Sequence, residues 1–205
     1  MDFILEQKGG LPSAPERLNE KKKWCSKWRI KLNVAKTQLV SFTRTKQKLE
    51  LKLFDQKITE QNELTMLGIV FDKGISFGNH CRIKATKAMQ RVRLLRLVSG
   101  RKWGANARTL SRLYKQYIRP VLEYGNVVTF QAKPTYLNKL ELVQNAALRT
   151  ILRAPKRTKI SELQMKAKIE PLADRLRSLH CKAILRYGDS QCIQALAFQR
   201  LLLSS

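Results

Sequence analysis

The chain begins with a pattern of apolar positions that is typical of a helix. Between Ala14 and Leu32 there is no Gly or Pro after Pro15, and apolar residues recur at helical spacing beside a charged face. These apolar residues are Leu18, Cys25, Trp28 and Leu32. We therefore predict a helix over residues 14–32. Because Trp24 and Trp28 lie one helical turn apart, we expect both to pack in the core.

The pattern then changes from helical spacing to alternation. Residues 38–44 and 49–53 alternate apolar and polar side chains, and a turn is expected after the second run at Asp55-Gln56. A third β-prone run, residues 65–71, contains Gly68. Three short runs at this spacing predict a small antiparallel sheet of hairpins.

After Gly74 the pattern is helical almost to the end of the chain. Helices are predicted over residues 82–99, 107–122 and 136–152, and from Pro171 onward. The first carries one stripe of Ala85, Ala88, Val92 and Leu95 and another of Ile83, Leu94 and Leu97. It should therefore pack on two sides. The second carries a single stripe, and we expect Pro120 to kink or end it. This stripe consists of Leu110, Leu113, Tyr114, Tyr117, Ile118, Val121 and Leu122. In the third helix Leu140, Val143, Ala147 and Ile151 should face inward.

These elements predict an α+β fold. Residues 1–74 would form a helix and a small antiparallel β-hairpin sheet, and residues 75–205 a helical bundle. With 43% apolar residues, the 205-residue chain can bury a core. No apolar run approaches the ~18 residues of a membrane-spanning helix, and residues 1–10 do not resemble a signal peptide. The expectation is an intracellular protein, nuclear or cytoplasmic, without a membrane partner.

Charge narrows the choice of partner. The chain has 41 Lys and Arg against 15 Asp and Glu, a formal net charge of +26. An excess of this size predicts a polyanionic partner, with nucleic acid as the first choice and an anionic membrane surface as the second.

Much of this charge is concentrated in one stretch. Between Asp72 and Glu123 the chain contains no acidic residue and 13 basic ones. On predicted helices they fall into rows, which can follow a phosphate backbone. The residues predicted to bind nucleic acid are Lys84, Lys87, Arg91, Arg93, Arg96, Arg101, Lys102, Arg108, Arg112 and Lys115. The alternative, an ordinary solvated helix face, usually mixes Glu with Lys to gain i,i+4 pairs.

The sequence offers no motif for phosphoryl-transfer chemistry. Two-metal catalysis needs converging carboxylates, and the chain has no Asp-Asp, Asp-x-Asp or Glu-x-x-Asp cluster. We therefore predict no metal site. A zinc site formed by the pairs His80-Cys81 and His180-Cys181 is disfavoured, because structural zinc ligands usually have short spacings. The widely scattered cysteines also argue against a disulfide framework.

Four motifs in order carry a resemblance to a known family. Residues 24–37 read W-C-S-K-W-R-I-K-L-N-V-A-K-T and resemble the W-x3-W-x-(I/L)-K-(L/I)-N-x2-K-T stretch of reverse transcriptases from non-LTR retrotransposons (LINE-type), especially jockey-like elements. Residues 67–80 are similar to the family's L-G-(V/I)-x-(L/F)-D-x3-(S/T)-F-x2-H. Residues 113–125 and 140–149 match two downstream helical signatures. The resemblance covers roughly residues 12–188.

The resemblance implies part of a right-hand polymerase, whose intact form uses Mg²⁺ at carboxylates of the palm. This chain would begin after the (F/Y)-A-D-D box or inside it, with Asp2 as a remnant of that box. Residues 1–74 would be the palm edge and primer-grip hairpins, and residues 75–205 the thumb and C-terminal extension. The catalytic palm and fingers would be missing, and no cofactor is expected in this chain.

The family's site residues are carried over only where the motifs match. Lys36 matches the lysine of the fourth palm motif, near the incoming triphosphate, with a solvated lysine at a strand start as the alternative. Met66, Leu67 and Gly68 match the primer grip, with a plain hairpin glycine as the alternative for Gly68. For the two N-terminal tryptophans the alternative to core packing is base stacking.

The predicted function is therefore that of a truncated RNA-directed DNA polymerase fragment of a mobile element. It would bind RNA or an RNA/DNA duplex through a basic thumb without sequence preference, and would lack catalysis alone. One alternative is a basic protein-interaction module that pairs with the missing palm and fingers or with itself through an exposed strand edge. Another is a gene-model fragment without a function.

Overall fold

The computed structural model describes residues 14–42, 51–54, 56–100, 103–130 and 132–187. These residues form an α+β fold, which confirms the predicted class. They divide into two compact units between Ser76 and Phe77. Three residues with predicted roles lie outside the described residues: Asp2, Arg101 and Lys102.

The described part of the chain has its helices mainly after residue 77. The helices are α1 (Ala14–Lys27), α2 (Gly78–Leu97), α3 (Ala107–Leu113), α4 (Arg119–Glu123), α5 (Asn126–Thr129), α6 (Pro134–Leu152), α7 (Ile160–Ala167) and α8 (Leu172–Tyr187). The strands are β1 (Leu51–Leu53), β2 (Gln56–Ile58), β3 (Glu63–Met66) and β4 (Ile69–Asp72). A 3-10 turn covers Val34–Lys36, and a π-helical segment, Tyr114–Ile118, joins α3 to α4.

A small apolar core holds the first unit together. Its buried members come from α1, the segment after the 3-10 turn and the β1–β2 hairpin, and they are Leu18, Leu39, Leu51, Leu53 and Ile58. Leu32 and Val34 pack against this cluster. Strands β1 and β2 pair antiparallel with Leu51 opposite Ile58, so alternate residues of β1 face the core.

The third predicted run is a hairpin rather than one strand. β3 and β4 pair antiparallel with Met66 opposite Ile69, which leaves Leu67 and Gly68 as a two-residue loop. Both have positive φ, 49° and 76°, as the tight turns that match strand twist require. The run at 38–44 is also not a strand in its described part, where Leu39 makes only an isolated parallel bridge to Glu60.

The two N-terminal tryptophans are on the surface, so the prediction that they pack in the core is wrong. Trp24 is 46% exposed and Trp28 60% exposed. Leu18 and Cys25, two turns apart, already supply the buried stripe of α1. The helix ends at Lys27, and the two indoles instead contact each other, with ring centroids 6.4 Å apart.

The second unit is built around the packing of α2 against α6. The four residues of α6 that the sequence predicted to face inward are all buried: Leu140, Val143, Ala147 and Ile151. On α2, Ala88, Val92 and Leu95 are buried. α2 also packs against α4 and the π-helical segment, but the predicted second stripe is not buried at Leu94 and Leu97, which are 52% and 67% exposed.

The predicted helix over residues 107–122 is a continuous helical segment in which a π-helical turn separates α3 from α4. Pro120 lacks the amide that a continuous α-helix would use, and the π-helical segment widens the turn before it, with the Arg119 amide bonded to the Tyr114 carbonyl. The buried residues are therefore four apart: Leu110, Tyr114, Ile118 and Leu122. Leu113 and Tyr117, predicted on the same stripe, are 37% and 46% exposed.

Candidate nucleic-acid interface

The exposed faces of α2 and α3 carry most of the described basic residues of the acid-free stretch. On α2 the buried stripe leaves Lys87, Arg93 and Arg96 exposed to solvent. On α3 and the π-helical segment, Arg108, Arg112 and Lys115 are exposed, opposite the buried residues Leu110 and Tyr114. Because side chains at helical spacing share a face, Arg108, Arg112 and Lys115 are aligned, whereas Lys87, Arg93 and Arg96 are spread over the solvent side of α2.

Lys84 does not belong to this exposed set, which corrects its predicted role. It is 4% exposed, and its ammonium donates a hydrogen bond of 2.8 Å to the carbonyl of Tyr124, just after the end of α4. A cation at a helix C-terminus is favourable because the last carbonyls lack partners and carry partial negative charge. Lys84 thus ties α2 to α4 from inside the unit.

Arg91 is half-buried and already has a protein contact. Its guanidinium donates a hydrogen bond to the carbonyl of Tyr117 and lies 4.4 Å from the centroid of the Tyr117 ring. Tyr117 belongs to the π-helical segment. Pro120, at the start of α4, has no amide hydrogen to donate to a carbonyl of the preceding turn. Arg91 therefore joins α2 to this segment through a hydrogen bond and a cation–π contact. Arg119, another basic residue of the acid-free stretch, forms an ion pair with Glu123 at 3.2 Å.

Burial shifts the pKa values of two residues of α2, Lys84 and His80. The pKa of Lys84 is lowered to about 8 by burial, although Cys81 and Glu123 partly oppose the shift. The pKa of His80 is lowered to about 4, first by burial and then by the positive charges of Lys84 and Lys87. At neutral pH the imidazole of His80 is therefore uncharged.

This shift predicts that the unit loses stability in mild acid. The folded pKa of His80 lies below its unfolded value of 6.5, so the unfolded chain binds more protons between about pH 6.5 and 4, and the free energy of unfolding falls as pH falls through that window. Its contribution is at most about 3 kcal/mol. Urea titrations of the wild type and His80→Phe at pH 7 and pH 4.5 measure it. A wild-type loss no larger than that of the variant would contradict the assignment.

In the first unit the structure brings two predicted site segments together. Lys36 is exposed at the end of the 3-10 turn, where the Thr37 amide bonds the Val34 carbonyl at 3.0 Å. Two residues later, the side-chain oxygen of Gln38 accepts a hydrogen bond of 3.2 Å from the amide of Thr65, in β3. The segment of Lys36 therefore lies beside the hairpin that presents the predicted primer grip.

The predicted primer-grip residues form the tip of the β3–β4 hairpin. Leu67 is 80% exposed, and Gly68 has the left-handed backbone (φ 76°) that glycine adopts without steric cost. The turn geometry alone accounts for a glycine at position 68. The approach of a primer strand to it stays a prediction.

The described carboxylates, histidines and cysteines do not cluster as a metal site requires. Among residues 14–42, 51–54, 56–100, 103–130 and 132–187, no group of three or more His, Cys, Asp and Glu side chains could hold a metal ion. The disfavoured zinc pairing is not assembled. His180 instead stacks on Phe130, with ring centroids 4.5 Å apart, and the pKa of the buried Cys81 thiol is raised by burial.

One structural cation was missed in the sequence. The guanidinium of Arg153 donates hydrogen bonds to the carbonyls of Ser99, Gly100 and Ala105, at 3.2, 2.9 and 3.2 Å. Arg153 follows the last residue of α6 and has a left-handed backbone (φ 50°). Its position at a helix C-cap was a readable signal, because basic residues there often bond carbonyls.

Within the part of the chain that the structure describes, every helix is too short or too polar to cross a bilayer.

Comparison with known proteins identifies relatives among mobile elements. The chain is 28% identical over 135 residues to the probable RNA-directed DNA polymerase from transposon BS of Drosophila melanogaster, covering 64% of this chain and 15% of the relative. It is 27% identical over 188 residues to the RNA-directed DNA polymerase from mobile element jockey of the same species, covering 89% and 20%. The jockey protein of Drosophila funebris is 26% identical over 171 residues, covering 80% and 18%.

The similarity concerns a small part of each relative. The chain spans between 15% and 20% of the length of these three proteins. No protein-family model matches the chain, and no solved structure matches it. The similarities nevertheless confirm the relationship that the sequence motifs predicted: the chain is related to the RNA-directed DNA polymerases of jockey-like, non-LTR mobile elements.

Proposed function

We propose that this chain is a reverse-transcriptase segment whose second unit acts as a thumb and binds template–primer RNA/DNA through phosphate contacts. The observation that carries the proposal is the acid-free exposed face of α2 and α3. Lys87, Arg93 and Arg96 on α2 and the cations of α3 point to solvent while the opposite faces are buried. Contacts of this kind position a duplex without reading its sequence.

An exposed helix face that carries only positive charges is electrostatically unfavourable in water. We therefore prefer nucleic acid over solvent alone as the partner of this face. Like charges one helical turn apart repel each other by a few tenths of a kcal/mol, whereas alternating signs would stabilise the helix. Phosphates remove that repulsion, and each neutralised phosphate releases condensed counterions. A basic face without acidic residues is therefore favourable mainly in the bound state.

Binding to two RNA/DNA hybrids of unrelated sequence tests the proposal. Fluorescence anisotropy at low salt should give similar Kd values for both hybrids, because the contacts go to phosphates, and the Kd should rise steeply with added salt. A strong preference for one sequence, or no binding at low salt, would contradict it.

We also propose that the chain does not polymerise DNA by itself. Two metal ions about 4 Å apart need converging carboxylates, and among the described residues no such group is found; two of the acidic residues form ion pairs instead, Glu60 with Lys73 at 2.7 Å and Glu123 with Arg175 at 2.8 Å. Incubation with a primed RNA template, deoxynucleotides and Mg²⁺ or Mn²⁺ should give no extension. A primer lengthened by this chain alone would refute the claim.

A second candidate function, binding to another protein, is favoured by the exposed apolar residues of α2 and α6. Leu94 and Leu97 on α2, and Leu142 on α6, are 52%, 67% and 65% exposed. Ala85, Met89 and Leu142 also line a shallow apolar groove between these helices. A partner that stays bound after nuclease treatment in a pull-down would favour this alternative, whereas loss of all partners would favour nucleic acid.

A further inference from the structure

The loop between α2 and α3 is closed by backbone contacts. The Ala105 amide donates to the Val98 carbonyl at 2.8 Å, and the Gly104 amide donates to the Gly100 carbonyl at 2.9 Å. A Cβ at position 104 would lie 2.2 Å from the Gly100 nitrogen, so the closure requires a glycine there. The two ends of this loop are therefore held in fixed positions.

The side chain of Arg153 anchors the same loop to the end of α6. It bonds carbonyls on both sides of the loop, Ser99 and Gly100 before it and Ala105 after it. Hydrogen bonds from a charged guanidinium are stronger than neutral ones. Residues 99–100 and 103–105 of the loop are thus held as a fixed platform.

This platform presents an exposed tryptophan. Trp103 is 76% exposed, and its indole lies over Gly100, where an added Cβ would come within 2.9 Å of Cε2 and 3.0 Å of Nε1. A glycine at position 100 lets the ring rest on the backbone while most of its surface faces solvent. Tryptophan supplies a large flat contact surface and is enriched at interfaces, so an indole held in place by the backbone beneath it is preorganised to bind a ligand.

Basic residues that precede Trp103 in the sequence and lie at the end of α2 favour nucleic acid as the ligand. Trp103 follows Arg101-Lys102 in the sequence, and the exposed Arg96 lies at the end of α2, where its carbonyl accepts from Ser99 at the start of the loop. Aromatic rings interleaved with cations are the pattern with which proteins bind single strands. A neutral or basic peptide would not match these charges.

We propose that Trp103 is a stacking platform for an unpaired nucleobase of the bound nucleic acid. The proposal rests on the proposed function, since it adds a base contact to phosphate contacts. The indole stacks on the base through its exposed face, and the exposed cations of α2 and α3 hold the phosphates. The contact is independent of base identity, because every base has a π-face.

The first test compares two RNA/DNA hybrids that differ only in a short single-stranded overhang, normal in one and abasic in the other. The wild type should bind the normal overhang about 5- to 100-fold more tightly, the range that corresponds to stacking of one base. Trp103→Ala should lose this difference, and Trp103→Phe should keep most of it. The salt dependence of Trp103→Ala should equal that of the wild type, because no phosphate contact is removed.

A second measurement reads the contact directly. The chain has three tryptophans, so Trp24→Phe/Trp28→Phe leaves only the indole of Trp103 to fluoresce. Its emission should be quenched by the hybrid with the normal overhang and not by the abasic one.

The outcomes separate the two claims. Failure of the wild type to bind either hybrid at low salt would overturn the proposed function and this inference together. Equal binding of both hybrids, with no effect of Trp103→Ala and no quenching, would overturn the stacking contact alone and leave phosphate binding intact.

Discussion

Reversing three charges on α3 and the following segment should weaken binding of an RNA/DNA hybrid by roughly 100-fold or more. The variant Arg108→Glu/Arg112→Glu/Lys115→Glu replaces three exposed cations. Each replacement removes a contact of about 1 kcal/mol, which gives about 3 kcal/mol or roughly 100-fold for the three, and repulsion from phosphate adds to this loss. The fold should be preserved, because the buried residues of α3 and the π-helical segment, including Leu110 and Tyr114, are not changed.

A matched control separates local contact from overall charge. The variant Lys156→Glu/Lys159→Glu/Lys166→Glu changes the net charge by the same amount on exposed positions of α7 and the loop before it. Its Kd should rise by less than about tenfold, since distant charges are largely screened at physiological salt. Equal losses in the two triple variants, measured by anisotropy and with matched circular dichroism spectra, would contradict a phosphate-binding face on α2 and α3.

The second large effect is on stability. Gln144→Met should lower the free energy of unfolding by about 2–4 kcal/mol, because it leaves two buried groups without partners. Gln144 is 1% exposed and accepts a hydrogen bond from the hydroxyl of Tyr114, while its amide donates 2.8 Å to the Glu170 carbonyl. This network ties α6 to the π-helical segment and to the residues before α8. Burial also raises the pKa of the Tyr114 hydroxyl, which keeps it neutral and able to donate.

A double-mutant cycle gives this prediction its control. Tyr114→Phe alone should cost about 1 kcal/mol. Tyr114→Phe/Gln144→Met should cost less than the sum of the two single changes, because the first removes the hydroxyl that the second would leave unpaired. Chemical denaturation of the four proteins measures the cycle. Strict additivity would show that the hydroxyl and the amide do not interact in the folded protein.

Sequence periodicity predicted those elements whose burial is one-sided. The buried residues of α6 and the first stripe of α2 follow the expected spacing, because the contact between these two helices buries one stripe on each. Leu94 and Leu97 were misassigned since apolar residues on a surface have the same pattern as a second buried stripe. Gln144 was not predicted to be buried, because a polar residue next to an apolar stripe gives no sign that its side-chain oxygen and nitrogen are both hydrogen-bonded.

Local backbone geometry explains the other differences. Leu67 and Gly68 divide a β-prone run into two strands, which depends on positive φ at a leucine, a conformation that sequence preferences rarely predict. Pro120 was expected to kink or end its helix, but the π-helical segment accommodates it, and this insertion shifts Leu113 and Tyr117 toward solvent. In each case tertiary packing determines which residue of a pattern is buried.

The candidate interface was predictable as a region but not residue by residue. Counting charges located the acid-free stretch, since that property depends on the sequence alone. The difference between Lys87, which is exposed, and Lys84, which bonds the Tyr124 carbonyl, depends on where α4 ends in space. The fixed position of Trp103 likewise depends on Arg153, 50 residues further along the chain.

The salt dependence of binding tests the central claim most directly. Anisotropy titrations of the wild type with an RNA/DNA hybrid, between about 50 and 300 mM salt, give the slope of log Kd against log salt concentration. On duplex DNA the slope is about 0.9 per phosphate contacted, so we expect a steep dependence that becomes shallower by roughly two to three in the α3 triple variant. Tight binding with a slope near zero, or an unchanged slope in that variant, would contradict the account.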